Sequence, residues 1–296
     1  MQQVLTVIAP EAVPLAAGEL SAVRDALGAV GAESFAPSWL ANGIAADIAF
    51  AGLDPDQAEA AARAALGPSR DVIAQAADGR RKKLLVADMD STIVTSETLD
   101  EMAAFAGLKD RIAAITARAM NGELDFAAAL RERVAMLKGL PQDALHKTWA
   151  ATQLTPGAEA LVATMRAHGA YCALVSGGFS FFTSRVRQQV GFDLDQSNVL
   201  EMAGETLAGT VAEPILDKDA KLTALRRLAA ERGLALAQTC TVGDGANDLP
   251  MLQAAGLGVA FRAKPSVAAA SRVRVDHGDL TALLFAQGYK ASEFRD

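Results

Sequence analysis

Asp88 and Asp90 stand one residue apart in Leu84-Leu85-Val86-Ala87-Asp88-Met89-Asp90-Ser91-Thr92, directly after a short apolar run. Such a run reads as a buried strand, and side chains at the carboxyl end of a strand open into the ligand crevice of an α/β protein. Two carboxylates aimed at one substrate offer a nucleophile and a proton carrier. The same string also suits an acidic turn capping a helix, so its meaning depends on the residues that accompany it elsewhere in the chain. Ala173-Leu174-Val175-Ser176-Gly177-Gly178 is a second apolar run, ending in a hydroxyl and two glycines that let backbone N–H groups approach an anion. Lys221 falls where a helix begins, against the dipole preference, and a bound anion would explain it better than local stability does. Cys240-Thr241-Val242-Gly243-Asp244-Gly245-Ala246-Asn247-Asp248 is a third apolar run leading into two carboxylates and an amide. A calcium loop would need alternating oxygen ligands and a terminal glutamate, which this string lacks.

Taken in order, Asp88-Met89-Asp90-Ser91-Thr92, Ser176-Gly177-Gly178, Lys221 and Gly243 through Asp248 resemble the four motifs of the haloacid dehalogenase superfamily of phosphotransferases. The fuller strings Asp88 through Glu97, Val175 through Phe179 and Val242 through Asp248 are similar to those of its phosphoserine phosphatases. The resemblance runs over roughly residues 82–290, about seven-tenths of the chain. It implies hydrolysis of O-phospho-L-serine to serine and phosphate, the last step of phosphorylated serine biosynthesis. Asp88 is then the nucleophile that forms an aspartyl-phosphate. Asp90 is the acid that protonates the seryl oxygen and later the base that activates water, a dual role helped by a raised pKa beside another carboxylate. Superfamily transport ATPases carry Thr at the second position, so Asp90 argues for a phosphatase.

The crowding of Asp88, Asp244 and a phosphate calls for a hard cation, and the expected cofactor is Mg²⁺. The resemblance assigns it Asp88, the backbone carbonyl of Asp90, and Asp244, with Asp248 ordering its surroundings and Asn247 near the phosphate. Ser176, the Gly177 N–H and Lys221 would hold phosphoryl oxygens. No Cys or His accompanies these motifs, which argues against zinc. Between the first two motifs, residues 96–105, 109–120 and 126–138 read as helices, and Phe126, Leu130, Val134 and Leu137 share one helical face. Superfamily inserts at this place form a cap. By resemblance, Glu97 holds the substrate ammonium, Arg133 its carboxylate, and Met120 and Phe126 close over the bound amino acid. Glu97 is also an ordinary first-turn acid, and Arg131 reads as a surface charge.

The elements around these residues give strands near 83–88, 171–175, 239–243, 257–261 and 272–275, alternating with helices. That pattern predicts an α/β doubly wound parallel sheet with a helical cap inserted at about 97–155. Residues 199–215 read as a hairpin beside it, and the tail beyond Gly288 as loose. Residues 1–78 follow βαββαβ order, a small α+β ferredoxin-like unit resembling the ACT modules that bind amino acids or mediate homodimers. A linker at residues 79–83, which holds the basic run Arg80-Arg81-Lys82-Lys83, joins it to the phosphatase unit at 84–296. The net charge of −7 argues against a nucleic-acid partner, and no apolar run is long enough for a membrane span. Cys172 and Cys240 sit inside strand patterns as buried thiols, in keeping with a cytoplasmic enzyme. The motifs do not separate water from an alcohol such as homoserine as acceptor, nor exclude another small phosphomonoester. An amino-acid sensor with a vestigial core is the reading from another class, and the intact motif residues count against it.

Overall fold

The computed structural model describes residues 2–120, 125–216 and 219–296. The chain opens with β1 (Gln3–Ile8), α1 (Ala17–Ala29), β2 (Glu33–Ser34), β3 (Ser38–Ala41), β4 (Ala45–Ala51), α2 (Pro55–Leu66) and β5 (Asp71–Ala76). Its sheet is antiparallel in the order β2-β4-β1-β5, with β3 also on β4. The second strand of the expected βαββαβ order is thus split into two short ones. One face of this sheet packs Leu5, Val7, Ile48 and Phe50 against Leu20, Val23 and Leu27 of α1 and Ala58 and Ala62 of α2. The other face gives Ile8, Ala45 and Ile73 to the main core of the molecule. The N-terminal sheet is therefore packed on both sides, like a layer of the whole rather than an appendage.

The second unit begins with β6 (Leu84–Ala87), followed by the cap helices α3 (Thr98–Phe105), α4 (Lys109–Met120), α5 (Phe126–Ala135) and α6 (Asp143–Ala151). Then come α7 (Ala158–Ala167), β7 (Tyr171–Phe179), α8 (Ser180–Val190), β8 (Leu194–Asn198) and the hairpin β9 (Leu200–Ala203) with β10 (Thr206–Val211). The chain closes with α9 (Ala220–Glu231), β11 (Thr239–Gly243), α10 (Leu249–Ala254), β12 (Leu257–Phe261), α11 (Pro265–Ala270), β13 (Val273–Val275) and α12 (Ala282–Ala286). The six-stranded sheet runs β13-β12-β11-β6-β7-β8, all parallel. β6 is buried on both faces, as a central parallel strand must be: Leu84 and Val86 meet α9 and α10, while Leu85 and Ala87 face the α7 side. Chain order reverses between β6 and β11, so the crevice at their carboxyl ends is the ligand site that this topology provides.

Three expectations need correction. β8 has no counterpart among the expected strands, because Leu194-Asp195-Gln196-Ser197-Asn198 has no apolar pattern; it is an edge strand whose acids and hydroxyls bond to α8. β7 continues through the glycines to Phe179 instead of stopping at 175. The tail is not loose: Tyr289 is buried under the Arg81 guanidinium, Phe294 rests on Phe285, and Arg295 N–H donates to the Thr164 hydroxyl at 2.8 Å. The thiols of Cys172 and Cys240 are buried and free, as expected, and burial pushes Cys240 up to about 12.

β12 lies hard against the end of α10, and Gly258 is what permits it: a Cβ there would fall on the Leu252 carbonyl oxygen. Backbone cannot yield as a flexible side chain can. Gly258→Ala is expected to destabilise the protein by about 3 kcal/mol, read as a lowered midpoint in denaturant; an unchanged midpoint would contradict this packing.

Candidate active site

Asp88 follows β6 and Asp244 follows β11, which places both carboxylates at the reversal point of the sheet. Asp88 N–H still belongs to the ladder, donating to the Val242 carbonyl at 3.0 Å, while its Oδ1 accepts from Met89 N–H at 2.7 Å. The chain then makes a tight turn in which Ser91 takes a left-handed φ of 54°. That turn swings Asp90 back, and its Oδ1 accepts from Thr98 N–H at 2.9 Å. A Cβ on Gly178 would come 2.7 Å from Asp90 Oδ2, so the glycine leaves this acid its place where β7 passes.

Lys221, in the first turn of α9, reaches the same point. Its Nζ lies 2.7 Å from Asp88 Oδ2 and 2.5 Å from Asp248 Oδ1, with all three groups buried. Asp248 is fully engaged, since its Oδ2 also accepts from Asp244 and Gly245 N–H at 3.1 and 2.9 Å. Asp244 takes a weaker bond from the Thr92 hydroxyl at 3.3 Å. Carboxylate oxygens of Asp88, Asp244 and Asp248 lie within 4.8 Å of one another. Three buried carboxylates against one ammonium leave negative charge that a hard divalent cation would neutralise. The donor set is oxygen only, which fits such an ion. Both oxygens of Asp248 and of Asp88 already accept bonds, which leaves Asp244, with its single 3.3 Å hydroxyl bond, the most open of the three to such an ion.

The electrostatics follow from this crowding. Burial and the Asp248 charge push Asp88 well above the usual carboxylate range, against the pull of Lys221. Burial and the charges of Asp248 and Glu97 raise Asp244 to about 6. Burial and the Glu97 charge raise Asp90 to about 7, against the Thr98 bond. Burial works against the Lys221 ammonium, but Asp248 and Asp88 outweigh it and hold its pKa above the ordinary value. A carboxyl that titrates near neutrality can give and take a proton, and Asp90 is such a group.

Above these residues opens a cavity of about 660 Å³. Asp88, Asp90, Ser176, Gly177, Asp244 and Asn247 line it from the core, and Glu97, Phe126, Leu130 and Arg133 from the cap. Ser176 Oγ accepts from Gly178 N–H at 2.9 Å, which leaves its own hydrogen to donate elsewhere. Phe126 lies over Gly177, where a Cβ would come 3.0 Å from the ring. Glu97 accepts from the Ser91 hydroxyl at 2.7 Å, and Arg133 Nε donates to the Ala129 carbonyl at 3.2 Å. Burial lowers the Arg133 pKa, opposed by Asp100 and Glu97 beside it. Arg131 does point outward, paired with Glu213 at 2.6 Å on the surface. The side chain of Met120 lies outside the described residues. The motifs assign no role to Thr92, Asp100 or Lys264, whose importance depends on neighbours far away in the chain.

The model of the haloacid dehalogenase-like hydrolases matches residues 85–253. The chain belongs to this family. A phosphoserine phosphatase of Streptomyces coelicolor is 42% identical over 252 residues, or 84% of this chain. The chain spans 62% of the length of that relative. A haloacid dehalogenase-family hydrolase from Salmonella enterica serovar Typhi superposes with a TM-score of 0.86 at 28% identity, covering 97% of this chain and 98% of the other. A phosphoserine phosphatase solved as a phospho-aspartyl intermediate analogue aligns with a TM-score of 0.65 at 37% identity, over 69% of this chain and 98% of that one. Haloacid dehalogenase-like topology thus accounts for both the reversal point and the acids found there.

The raised pKa of Asp90 has two measurable consequences. In cation-free protein, ¹³C-carboxyl NMR should give Asp90 a midpoint near 7, and Glu97→Gln should lower it by removing a like charge. A midpoint near 4, or one indifferent to Glu97, would contradict the geometry. Between about pH 4 and 7 the folded carboxyl keeps a proton that the unfolded one has released. Asp90 therefore favours the fold below this window, and its contribution is lost as pH rises through it.

Proposed function

We propose that this chain is a Mg²⁺-dependent phosphatase that hydrolyses O-phospho-L-serine to L-serine and phosphate through a phosphorylated Asp88. The observation that carries the reading is one cavity with two unlike walls. Its floor has Asp88 bonded to a buried ammonium, and its cap wall has Glu97 and Arg133. The floor suits a phosphoryl group, and the opposite charges of the cap suit the ammonium and carboxylate of an amino acid. The names of the relatives support the same substrate.

In this reading Asp88 attacks phosphorus and the bond to the seryl oxygen breaks. Asp90 gives its proton to that oxygen, then takes one from the water that hydrolyses the aspartyl-phosphate. Lys221, the Ser176 hydroxyl and the Gly177 N–H hold the equatorial oxygens, with Asn247 beside them. Asp88, Asp244 and the Asp90 carbonyl would hold Mg²⁺, which when bound supplies charge neutralisation for the acids and the phosphoryl oxygens. Asp248 fixes Lys221 and the 244–245 turn. Glu97 receives the ammonium, Arg133 the carboxylate, and Phe126 covers the apolar stem.

Along the chain the reading assigns residues 1–78 to an ACT-like module and 79–83 to a linker. It gives 84–296 to the phosphatase unit, with its cap at about 97–155. Two buried free thiols accord with a cytoplasmic setting.

Two variants test the reading. Asp88→Asn should remain folded and lose turnover, and acid-quenched wild type should carry phosphate on Asp88 by mass spectrometry. Arg133→Ala should lower kcat/KM for phosphoserine by roughly 10- to 150-fold, the worth of a charge-assisted contact at about 1.5–3 kcal/mol. Phosphoethanolamine, which lacks the carboxylate, should be much less affected. Equal losses would refute the role of Arg133, and faster wild-type hydrolysis of phosphoethanolamine would refute phosphoserine as the substrate.

A further inference from the structure

One cation at the cavity is used by none of the chemistry above. Lys264 lines the same space as Asp88 and Asp244, its side chain is exposed, and its N–H donates to the Asp244 carbonyl at 3.2 Å. Among the described residues, Arg133 and Lys264 are the cationic ones lining this cavity, with Lys221 buried beneath it. Arg133 belongs to the cap. Lys264 stands on the core side, beside the acids that a phosphate dianion must pass.

The loop bearing Lys264 has an unusual anchor. Arg262 is a non-glycine residue at φ 43°, a conformation that persists only where the surroundings dictate it. Its N–H donates to the Val275 carbonyl at 2.8 Å and its Nη2 to the Gly278 carbonyl at 2.9 Å. Gly278 ends a loop whose successive N–H groups converge on one carboxylate of the N-terminal sheet. Asp71, the fully buried first residue of β5, accepts from Asp276 and Gly278 N–H at 2.7 Å each and from His277 N–H at 3.2 Å. Asp71, Asp276 and His277 are close enough together to suggest a metal site. Both Asp71 oxygens are taken by backbone donors, however, which makes the group a clamp.

We propose that Lys264 is a second phosphate-binding cation at the rim of the cavity, and that Asp71 is the positioning residue that holds it there through the 276–278 loop and Arg262. The N-terminal sheet is then a working part of the active site. The inference rests on the reading of this cavity as a phosphate-ester site. It does not require that the ester be phosphoserine.

The test uses the full chain with Mg²⁺ and inorganic phosphate as the probe, titrated by calorimetry, alongside kcat/KM for p-nitrophenyl phosphate. Lys264→Met should weaken phosphate about fivefold, the upper end for an ion pair with an exposed member, and Lys264→Arg should restore most of that. Asp71→Asn should give a comparable loss, and adding it to Lys264→Met should cost no further affinity. Arg262→Gly tolerates the left-handed backbone and cuts the same relay from the core side, so it reads the relay even if Asp71→Asn folds poorly. Gln75→Ala breaks a neighbouring contact of β5, the 2.7 Å bond to the Ala286 carbonyl. It should lower the melting temperature and leave phosphate affinity alone. Phosphate affinity within twofold of wild type in Lys264→Met would overturn the proposal. So would losses from Asp71→Asn and Lys264→Met that multiply, because Asp71 would then act elsewhere. A wild type that binds phosphate but does not hydrolyse phosphoserine would overturn the substrate reading and leave these arms intact.

Discussion

The structure depends on keeping several like charges buried at one point. Asp88, Asp244 and Asp248 meet where the strand order reverses, with Lys221 between two of them. Isolated buried carboxylates are costly, and they persist only when bonds surround them. Each of these has its bonds: Met89 N–H on Asp88, Thr92 on Asp244, and the ammonium with two backbone N–H groups on Asp248. Apart from the Lys221 ammonium, those bonds come from the turns that follow β6 and β11, so the sheet order is also the condition for the charge cluster. Gly243 follows from the same requirement, because any Cβ there would overlap the Asp248 carboxyl.

Lys221 opens a helix, but the other motif residues were legible in the sequence because they lie at the ends of short apolar strands, and strand followed by glycine and acid is a local pattern. Glu97 and Arg133 were legible only through the family resemblance; periodicity alone makes them ordinary helix residues. What stayed hidden was set by tertiary partners. β8 carries polar residues because one edge of it bonds to α8 hydroxyls and guanidinium groups, so it lacks the alternation that marks a strand. The C-terminal tail looked loose because its anchors, Thr164 and Arg81, lie over a hundred residues away. Asp71 carries no motif, and nothing nearby in sequence shows that it accepts from three backbone N–H groups.

The linker shows the same lesson in its charges. Arg80, Arg81, Lys82 and Lys83 resemble a solvated basic run, but three of the four are bonded into the fold. Arg80 pairs with Asp47 of β4, Arg81 with Glu293, and the buried Lys82 ammonium donates to the Gly79 and Ala237 carbonyls at 3.0 Å. Burial lowers the Lys82 pKa accordingly. A connection fixed at both ends transmits position, unlike a Gly/Ser linker that decouples its neighbours.

Under the proposed function, the cap and the floor would divide the work of recognition by charge. An amino-acid stem would bring one ammonium and one carboxylate, which cancel, so Glu97 and Arg133 would orient it but add little net attraction. The phosphoryl group carries the uncompensated charge, and the attraction for it must come from below. Lys221 alone is already shared between two carboxylates. A floor of that kind holds a dianion only when a further positive charge joins it. For that reason the acids that look repulsive in the bare protein are the ones that would recruit a divalent cation, and with it the substrate.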